Sequence, residues 1–235
     1  MTGPPSHRGG PQRIPRPAGS RPGRPAPWAD LTTEERRIDL EKLRARLAER
    51  GSGQVLGSDA DSVPGLSAVL IALYRVGDEP HVILTRRAPH LRSHTHEVAF
   101  PGGRSDPGDR HPLDTAIREA EEEVGLDPRL VRPVGLLDRF VTVGSQTLIH
   151  PVVAVLRSEP ELKAAPDEVE HILRVPLAEL MLDEVYREEQ WPIAGTERSI
   201  TFFELIGDTV WGATAAMLRQ LLAIATATDD RIRRP

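Results

Sequence analysis

Residues Leu84–Leu126 read LTRRAPHLRSHTHEVAFPGGRSDPGDRHPLDTAIREAEEEVGL. An arginine-bearing run enters a Gly102-Gly103 turn, and the turn leads into a stretch with glutamates at helical spacing. Leu113, Ala116, Ile117, Ala120 and Val124 recur at three- and four-residue intervals. This predicts a helix that opens near Pro112 and Leu113, runs to Val124 and stops at Gly125. Glu119, Glu122 and Glu123 fall at i, i+3 and i+4, which stacks three carboxylates on the adjacent face. Like charges so placed cost about 0.2–0.5 kcal/mol per pair on an exposed helix. A hard divalent cation such as Mg²⁺ relieves that repulsion and keeps water in its remaining positions. Arg118 is placed to hold one of the glutamates in a fixed rotamer. Taken alone, Glu121-Glu122-Glu123 reads as a solvated helix face. The joint spacing of Gly103, Arg118, Glu119, Glu122, Glu123 and Gly125 is what selects the metal reading.

Arg86, Arg87 and Arg92 come just before the Gly-Gly turn. Arginine suits phosphate because its planar fork makes paired, charge-assisted hydrogen bonds. Taken singly, each is as well explained as an ordinary surface arginine. His94 and His96 are candidates to contact phosphate or to support the turn. Gly102 and Gly103 supply backbone freedom and exposed N–H groups where phosphate and metal would approach.

The segment Gly103–Leu126 resembles a Nudix box. That pattern is Gly, five residues, Glu, seven residues, Arg-Glu, an aliphatic, any residue, Glu-Glu, any residue, Gly and an aliphatic. Here the first acid is Asp109, the gap from Asp109 to Arg118 is one residue longer, and Ala120 is small for the aliphatic slot. The Arg-Glu…Glu-Glu core is intact, and the loop before the helix is expected to bulge. The upstream run resembles the coenzyme A diphosphatase branch of Nudix hydrolases, which reads L-T-x-R-S and then L-R-x-H-x-G-[EQ]-V-x-F-P-G-G. Ala88 stands where Ser is usual, and His96 where Gly is usual. The second change puts a side chain beside the turn.

The resemblance covers roughly Pro64 to Leu222. It implies an α/β Nudix-like fold of mixed β-sheets sandwiched between α-helices. It also implies metal-dependent hydrolysis of coenzyme A or acyl-coenzyme A to 3′,5′-ADP and (acyl-)4′-phosphopantetheine. On that resemblance Glu119, Glu122 and Glu123 bind Mg²⁺ or Mn²⁺, and Arg118 joins them as a catalytic group. Arg86, Arg87, Arg92, His94, Gly102 and Gly103 are the substrate-binding candidates. Glu119 or a loop acid such as Glu168 would take the proton, and Glu170 is a further candidate ligand or base. Three alternatives stay open: a Nudix enzyme acting on ADP-ribose, a dinucleotide or a nucleoside triphosphate; a non-catalytic nucleotide-binding regulator; and an interaction protein whose acidic helix docks a basic partner.

The 235 residues suit one domain plus tails. Hydrophobic residues make up 39% and aromatics 4%, so aliphatic side chains must fill the core. There is no cysteine, which excludes disulfides, thiolate metal sites and a cysteine nucleophile. That fits a cytoplasmic protein. The only lysines are Lys42 and Lys163, and no Gly-Lys-[Ser/Thr] phosphate loop is present. Residues 1–29 hold five arginines and no acid, so the remainder carries −10 against a net of −5. An acidic body argues against a nucleic-acid partner. No apolar run is long enough for a membrane span or a secretion signal. A small-molecule nucleotide is therefore the expected partner, with a homodimer left open.

Residues 1–30, rich in Pro, Gly and Arg, are expected to be a disordered tail. Residues 31–62 read as a helix and linker. Thr32-Thr33-Glu34-Glu35 looks like a capping box opening a helix to about Arg50, with Leu40, Leu43 and Leu47 as its apolar stripe. Residues 63–228 form the expected catalytic domain, and 229–235 a tail. Within the domain, Ser67–Tyr74 reads as a central strand and His81–Arg86 as its hairpin partner. Leu130–Phe140 and Thr147–Leu156 read as strands joined by a Gly144-Ser145 loop, and His150-Pro151 suggests a bulge or edge. Ala164–Glu170 reads as an acidic loop leading into Ile172–Val175, Pro176–Leu182 as a short helix, and Ile200–Ile206 as a strand. Trp211-Gly212-Ala213-Thr214 opens a last helix to about Ala227, with Trp211 as a core anchor.

Overall fold

The computed structural model describes residues 7–50, 66–90, 96–142 and 147–229. The expected linker 51–62, the Gly144-Ser145 loop and most of the C-terminal tail lie outside the described residues.

The apolar run at Ser67–Val76 (β2) lies at the centre of the larger sheet, and its two faces feed two cores. Ala68, Leu70, Ala72 and Tyr74 point one way, onto the helix Pro112–Val124 (α2) through Ala116, Ala120 and Val124. Ile71 and Leu73 point the other way, into the main core. A strand covered on both sides needs apolar residues at both parities, which is why the sequence shows no clean alternation there.

Glu79–Arg87 (β3) pairs antiparallel with β2 as a hairpin. Val98–Ala99 (β4) pairs with the end of β3, and Gly102–Arg104 (β5) pairs with the start of β2. Val131–Leu136 (β6), Phe140–Val141 (β7) and Leu148–Leu156 (β8) follow α2. β8 runs parallel to β2, so the sheet is mixed. His150 and Pro151 do not sit at an edge, contrary to the expectation. They pair with Ala68 and Val69 on one side, and the neighbour on the other side breaks between β6 and β7 opposite them. A missing proline N–H is tolerated where the facing strand is interrupted.

Val169–Pro176 (β9) joins β3 on the same sheet and leads into the short helix Leu177–Leu180 (α3). The second sheet contains Tyr186–Ile193 (β10), Thr196–Leu205 (β11) and Asp208–Trp211 (β12), with Arg21–Pro22 (β1) added beside β10. Gly212–Thr226 (α4) and Leu40–Glu49 (α1) close the main core with α3. Arg46 of α1 donates to the Ile224 carbonyl at 3.1 Å and also to Ala225, satisfying the end of α4. The architecture is the expected α/β sandwich of mixed sheets and helices.

Two expectations are corrected. The Thr32–Glu35 box is real, with the Thr32 N–H donating to Glu35 at 2.8 Å, but it closes only a turn. Arg36 folds back onto the carbonyls of Leu31, Ala29 and Met181, and α1 starts later, at Leu40, where Asp39 accepts from the Glu41 and Lys42 N–H groups. The apolar stripe Leu40, Leu43 and Leu47 is buried as expected.

The second correction concerns the arm. Residues 7–30 are packed on the domain rather than free of it. Trp28 is 0% exposed, stacked on Phe203 at 6.4 Å and edge-on to Tyr186 at 5.4 Å. Arg8 pairs with Glu179 at 3.1 Å and Arg16 with Glu189 at 2.8 Å. A basic arm on an acidic body, with one large aromatic to bury, offsets the poor intrinsic order of its composition.

Trp28→Ala is therefore expected to lower folding stability by about 3–5 kcal/mol. Urea denaturation followed by circular dichroism checks this, and an unchanged midpoint would mean that the arm does not dock.

Candidate active site

α2 begins at Pro112, whose missing N–H is harmless in a first turn. Asp114 accepts from the N–H groups of Arg110 and His111, at 3.0 and 3.2 Å. The helix ends on Gly125, at φ 65°, the left-handed region that favours glycine. The small Ala68, Ala72, Ala116 and Ala120 let it lie close on the sheet. This brings its acidic face against β5.

The contact is tight. A Cβ on Gly103 would sit 2.4 Å from a Glu119 carboxylate oxygen, and a Cβ on Gly102 would sit 2.4 Å from the Ala68 carbonyl. Only glycine fits at 102, and a side chain at 103 would displace the Glu119 carboxylate. The Gly102 N–H donates to Glu123 Oε2 at 3.1 Å. Glu123 is buried, Glu119 is half-buried and Glu122 is exposed.

Arg118 organises the surrounding acids. Its Nη1 donates to Glu119 and to Glu122, each at 3.0 Å. Its Nη2 donates to Asp109 at 2.9 Å and to the Arg104 carbonyl at 3.0 Å. The loop before α2 contains a turn in which the Asp109 N–H donates to the Asp106 carbonyl at 2.9 Å. Asp109 still reaches the arginine, and it also accepts from the Thr115 hydroxyl at 2.9 Å. Burial disfavours its charge, but Arg118, the Asp106 N–H and Thr115 outweigh burial and hold the carboxyl below its usual range.

Burial dominates at the other two groups. It raises Glu119, against the pull of Arg118, with repulsion from Glu122 and Glu168 adding to the shift. It pushes Glu123 up to about 7, with the Gly102 N–H and Arg87 opposing and Glu119 and Glu168 adding. The loop acid Glu168 contributes to both shifts by like-charge repulsion. Glu170 pairs instead with Arg86 at 3.2 Å and lies 3.1 Å from His96 Nδ1.

The three glutamates do not form a ready cradle. Among the described residues no group of three or more acids or imidazoles is arranged to hold a metal ion. Arg118 draws Glu119 and Glu122 to itself while Glu123 turns to the Gly102 amide. The donor set nonetheless suits a hard cation. It is all carboxylate oxygen, the ligand type that hard divalent cations take.

Of the substrate-binding candidates, Arg92 and His94 lie outside the described residues. Arg87 stands beside the cluster, 4.0 Å from Glu123, with its Nε buried and unpartnered. Arg86 is committed elsewhere: it pairs with Asp208 at 3.1 Å and with Glu170. Asp208 was not singled out in the sequence. It is 5% exposed and also accepts from Gln12 Nε2 at 2.8 Å. Gln12 in turn donates to the His96 carbonyl at 3.0 Å. His96 has φ 60°, so the backbone keeps a glycine-favouring conformation although the side chain is present. Trp211 is half-buried rather than a core anchor, and lies 6.1 Å from Trp191.

Residues 64–194 match the family model described as NUDIX domain. The chain is 35% identical to Nudix hydrolase 15, mitochondrial, of Arabidopsis thaliana, over 85% of this chain and 72% of that protein. It is 39% identical to the Arabidopsis Nudix hydrolase 22, chloroplastic, over 72% of this chain and 57% of that protein. It is also 37% identical to the uncharacterized Nudix hydrolase NudL of Photorhabdus laumondii, over 61% of this chain and 76% of that protein.

The raised Glu123 carboxyl sets a pH dependence for the metal-free protein. Its folded pKa of about 7 exceeds the ordinary 4.5, so folding favours the protonated acid. Stability is unaffected below pH 4.5, falls as pH rises towards 7 and stays lower above that. Glu123→Gln removes the loss. With chelator present, the variant should match the wild type near pH 4 and exceed it by about 1–3 kcal/mol at pH 8. Urea melts across that range check the sign, and a gain confined to acid pH would contradict it.

Proposed function

The chain belongs to the Nudix hydrolase family, and from that premise we propose that it hydrolyses the diphosphate of coenzyme A or an acyl-coenzyme A to 3′,5′-ADP and (acyl-)4′-phosphopantetheine. The observation that carries the site is the packing of Glu119 on Gly103 and Glu123 on Gly102, with Arg87 beside them. The coenzyme preference is supported by the upstream run Leu84–Gly103, whose Arg87, Glu97-Val98 and Phe100-Pro101-Gly102-Gly103 match that branch.

Glu119, Glu122 and Glu123, with Glu168 close by in charge, would hold Mg²⁺ or Mn²⁺. The ion would supply neutralisation of the diphosphate charge and acidification of water. Arg118 sets the rotamers of Glu119 and Glu122 and neutralises part of their repulsion. Arg87 offers an unused Nε–H to a phosphate oxygen, and its fork would hold the phosphoryl group that is not attacked. Water adds to one phosphorus, the bridging P–O bond breaks, and the bridging oxygen leaves with the other phosphate. Glu119 or Glu168 takes the proton from water.

No helix among the described residues is long and apolar enough to cross a membrane. We place the reaction in the cytoplasm on the strength of the cysteine-free composition.

The test is incubation with coenzyme A, an acyl-coenzyme A, ADP-ribose and a dinucleotide, each with Mg²⁺ or Mn²⁺, followed by mass analysis. The coenzyme A reactions should yield 3′,5′-ADP at the highest kcat/KM of the panel, and chelator should abolish turnover. ADP-ribose as the best substrate would overturn the coenzyme preference. Glu122→Gln with Glu123→Gln should reduce kcat/KM by at least about 100-fold, since even outer-shell metal partners are worth 10–100-fold. Near wild-type turnover by that double variant would overturn the metal assignment.

A further inference from the structure

A cleft of about 1790 Å³ opens away from the glutamates. That exceeds the roughly 300–1,000 Å³ of common small-molecule sites. None of Glu119, Glu122, Glu123, Gly102 or Gly103 lines it. Its walls come from four separate parts of the chain: the docked arm, the β10–β11 hairpin, the β6–β7 connection and the start of α4. Its lip is Glu97–Ala99. Ala99 lies only three residues before Gly102, so the lip is within about 10 Å of the glycine bend. This wall of the cleft is thus the one that adjoins the carboxylate site.

The lining has a definite chemistry. Trp211 is half-buried, backed by the buried Trp191 at 6.1 Å, and offers a flat surface. Arg198 is half-buried, its Nε is shut off from water with no partner, and no acid pairs with it. Arg139, across the cleft, is exposed and also has no acid partner among the described residues. The acids on the walls are engaged: Glu188 accepts from Gln190 Nε2 at 3.0 Å, and Asp138 accepts from Gln220 Nε2 at 2.7 Å and pairs with Arg50 at 3.1 Å. α4 also starts on this wall. Its N-cap Trp211 provides no side-chain cap, and a Cβ placed on Gly212 would meet nothing within 4 Å. Its first N–H groups therefore open onto free space beside the two arginines.

We infer that this cleft binds the phosphorylated nucleoside half of the substrate, with the base on Trp211 and the ribose phosphate on Arg198, Arg139 and the start of α4. The inference rests on the diphosphatase reading for how the nucleoside arrives, and it makes the docked arm part of the substrate site. A flat aromatic surface takes the face of a base, and paired forks with free N–H groups take a phosphate dianion. The flexible, uncharged pantetheine chain would use neither.

The experiment is binding to the full chain in chelator, so that the glutamates take no part, followed by calorimetry and tryptophan fluorescence. The probes are 3′,5′-ADP, 5′-AMP and 4′-phosphopantetheine. 3′,5′-ADP should bind most tightly and change the fluorescence, and Trp211→Phe should remove most of that change. Arg198→Gln should weaken 3′,5′-ADP tenfold or more and 5′-AMP less than threefold, with Arg198→Lys intermediate and the melting temperature unchanged. Equal binding of 3′,5′-ADP by wild type and Arg198→Gln would overturn the proposal. So would 4′-phosphopantetheine binding more tightly than either nucleotide. Discrimination through Arg198 without any hydrolysis of coenzyme A would leave the cleft assignment standing and sink the diphosphatase reading. Hydrolysis of coenzyme A with no effect of Arg198→Gln would do the reverse.

Discussion

One guanidinium stands between this fold and its own repulsion. Five carboxylates gather around the loop before α2 and along the helix, and Arg118 pairs with four of them: Asp106, Asp109, Glu119 and Glu122. It also takes the Arg104 carbonyl, which ties the strand before the loop to the helix after it. Lysine could not do the same, because a point charge on a flexible stem does not span four acceptors in a plane. The fifth acid, Glu123, is not paired with Arg118; burial favours its protonated form, and the Gly102 N–H donates to it in opposition. The neighbouring carboxylates thus differ in proton affinity: burial raises Glu119 and Glu123, while at Asp109 the bonds from Arg118, Thr115 and the Asp106 N–H outweigh it.

Packing delivers this arrangement to β5. The interface between α2 and the central strand is built largely from alanine, with Ala68 and Ala72 facing Ala116 and Ala120. Small side chains bring helix and sheet close, and the closeness puts Glu119 where Gly103 would otherwise carry a side chain. The short residue in the aliphatic slot of the box is thus a geometric requirement here. Core and site cannot be varied separately on this face.

Much of this was legible before folding. α2 has the expected limits, Pro112 to Val124, because an apolar period, a first-turn proline and a terminal glycine agreed. The hairpin, the last helix and the role of Arg118 were legible for the same reason, since the signals are local and mutually consistent. The helix start was misread locally, since Asp39 rather than Thr32 caps α1, and the other main misreadings are long-range. Nothing in the arm's composition reveals that Trp28 has a berth between Tyr186 and Phe203. Arg86 looked free because its partner Asp208 lies 122 residues on. The convergence of Glu119, Glu122 and Glu123 followed from helical spacing, but spacing places Cβ atoms and not carboxylate oxygens, which go where Arg118 and Gly102 draw them.

The docked arm has a consequence for synthesis. Gln12 bonds Asp208, 196 positions later, and Gly9 donates to the Leu205 carbonyl. A ribosome releases the arm well before its receptor. At roughly 5–20 residues per second, those early residues wait about ten to forty seconds with an indole uncovered. Their proline, glycine and arginine content keeps them from collapsing onto anything else meanwhile, so a composition that reads as disorder also guards the chain until its final strand emerges.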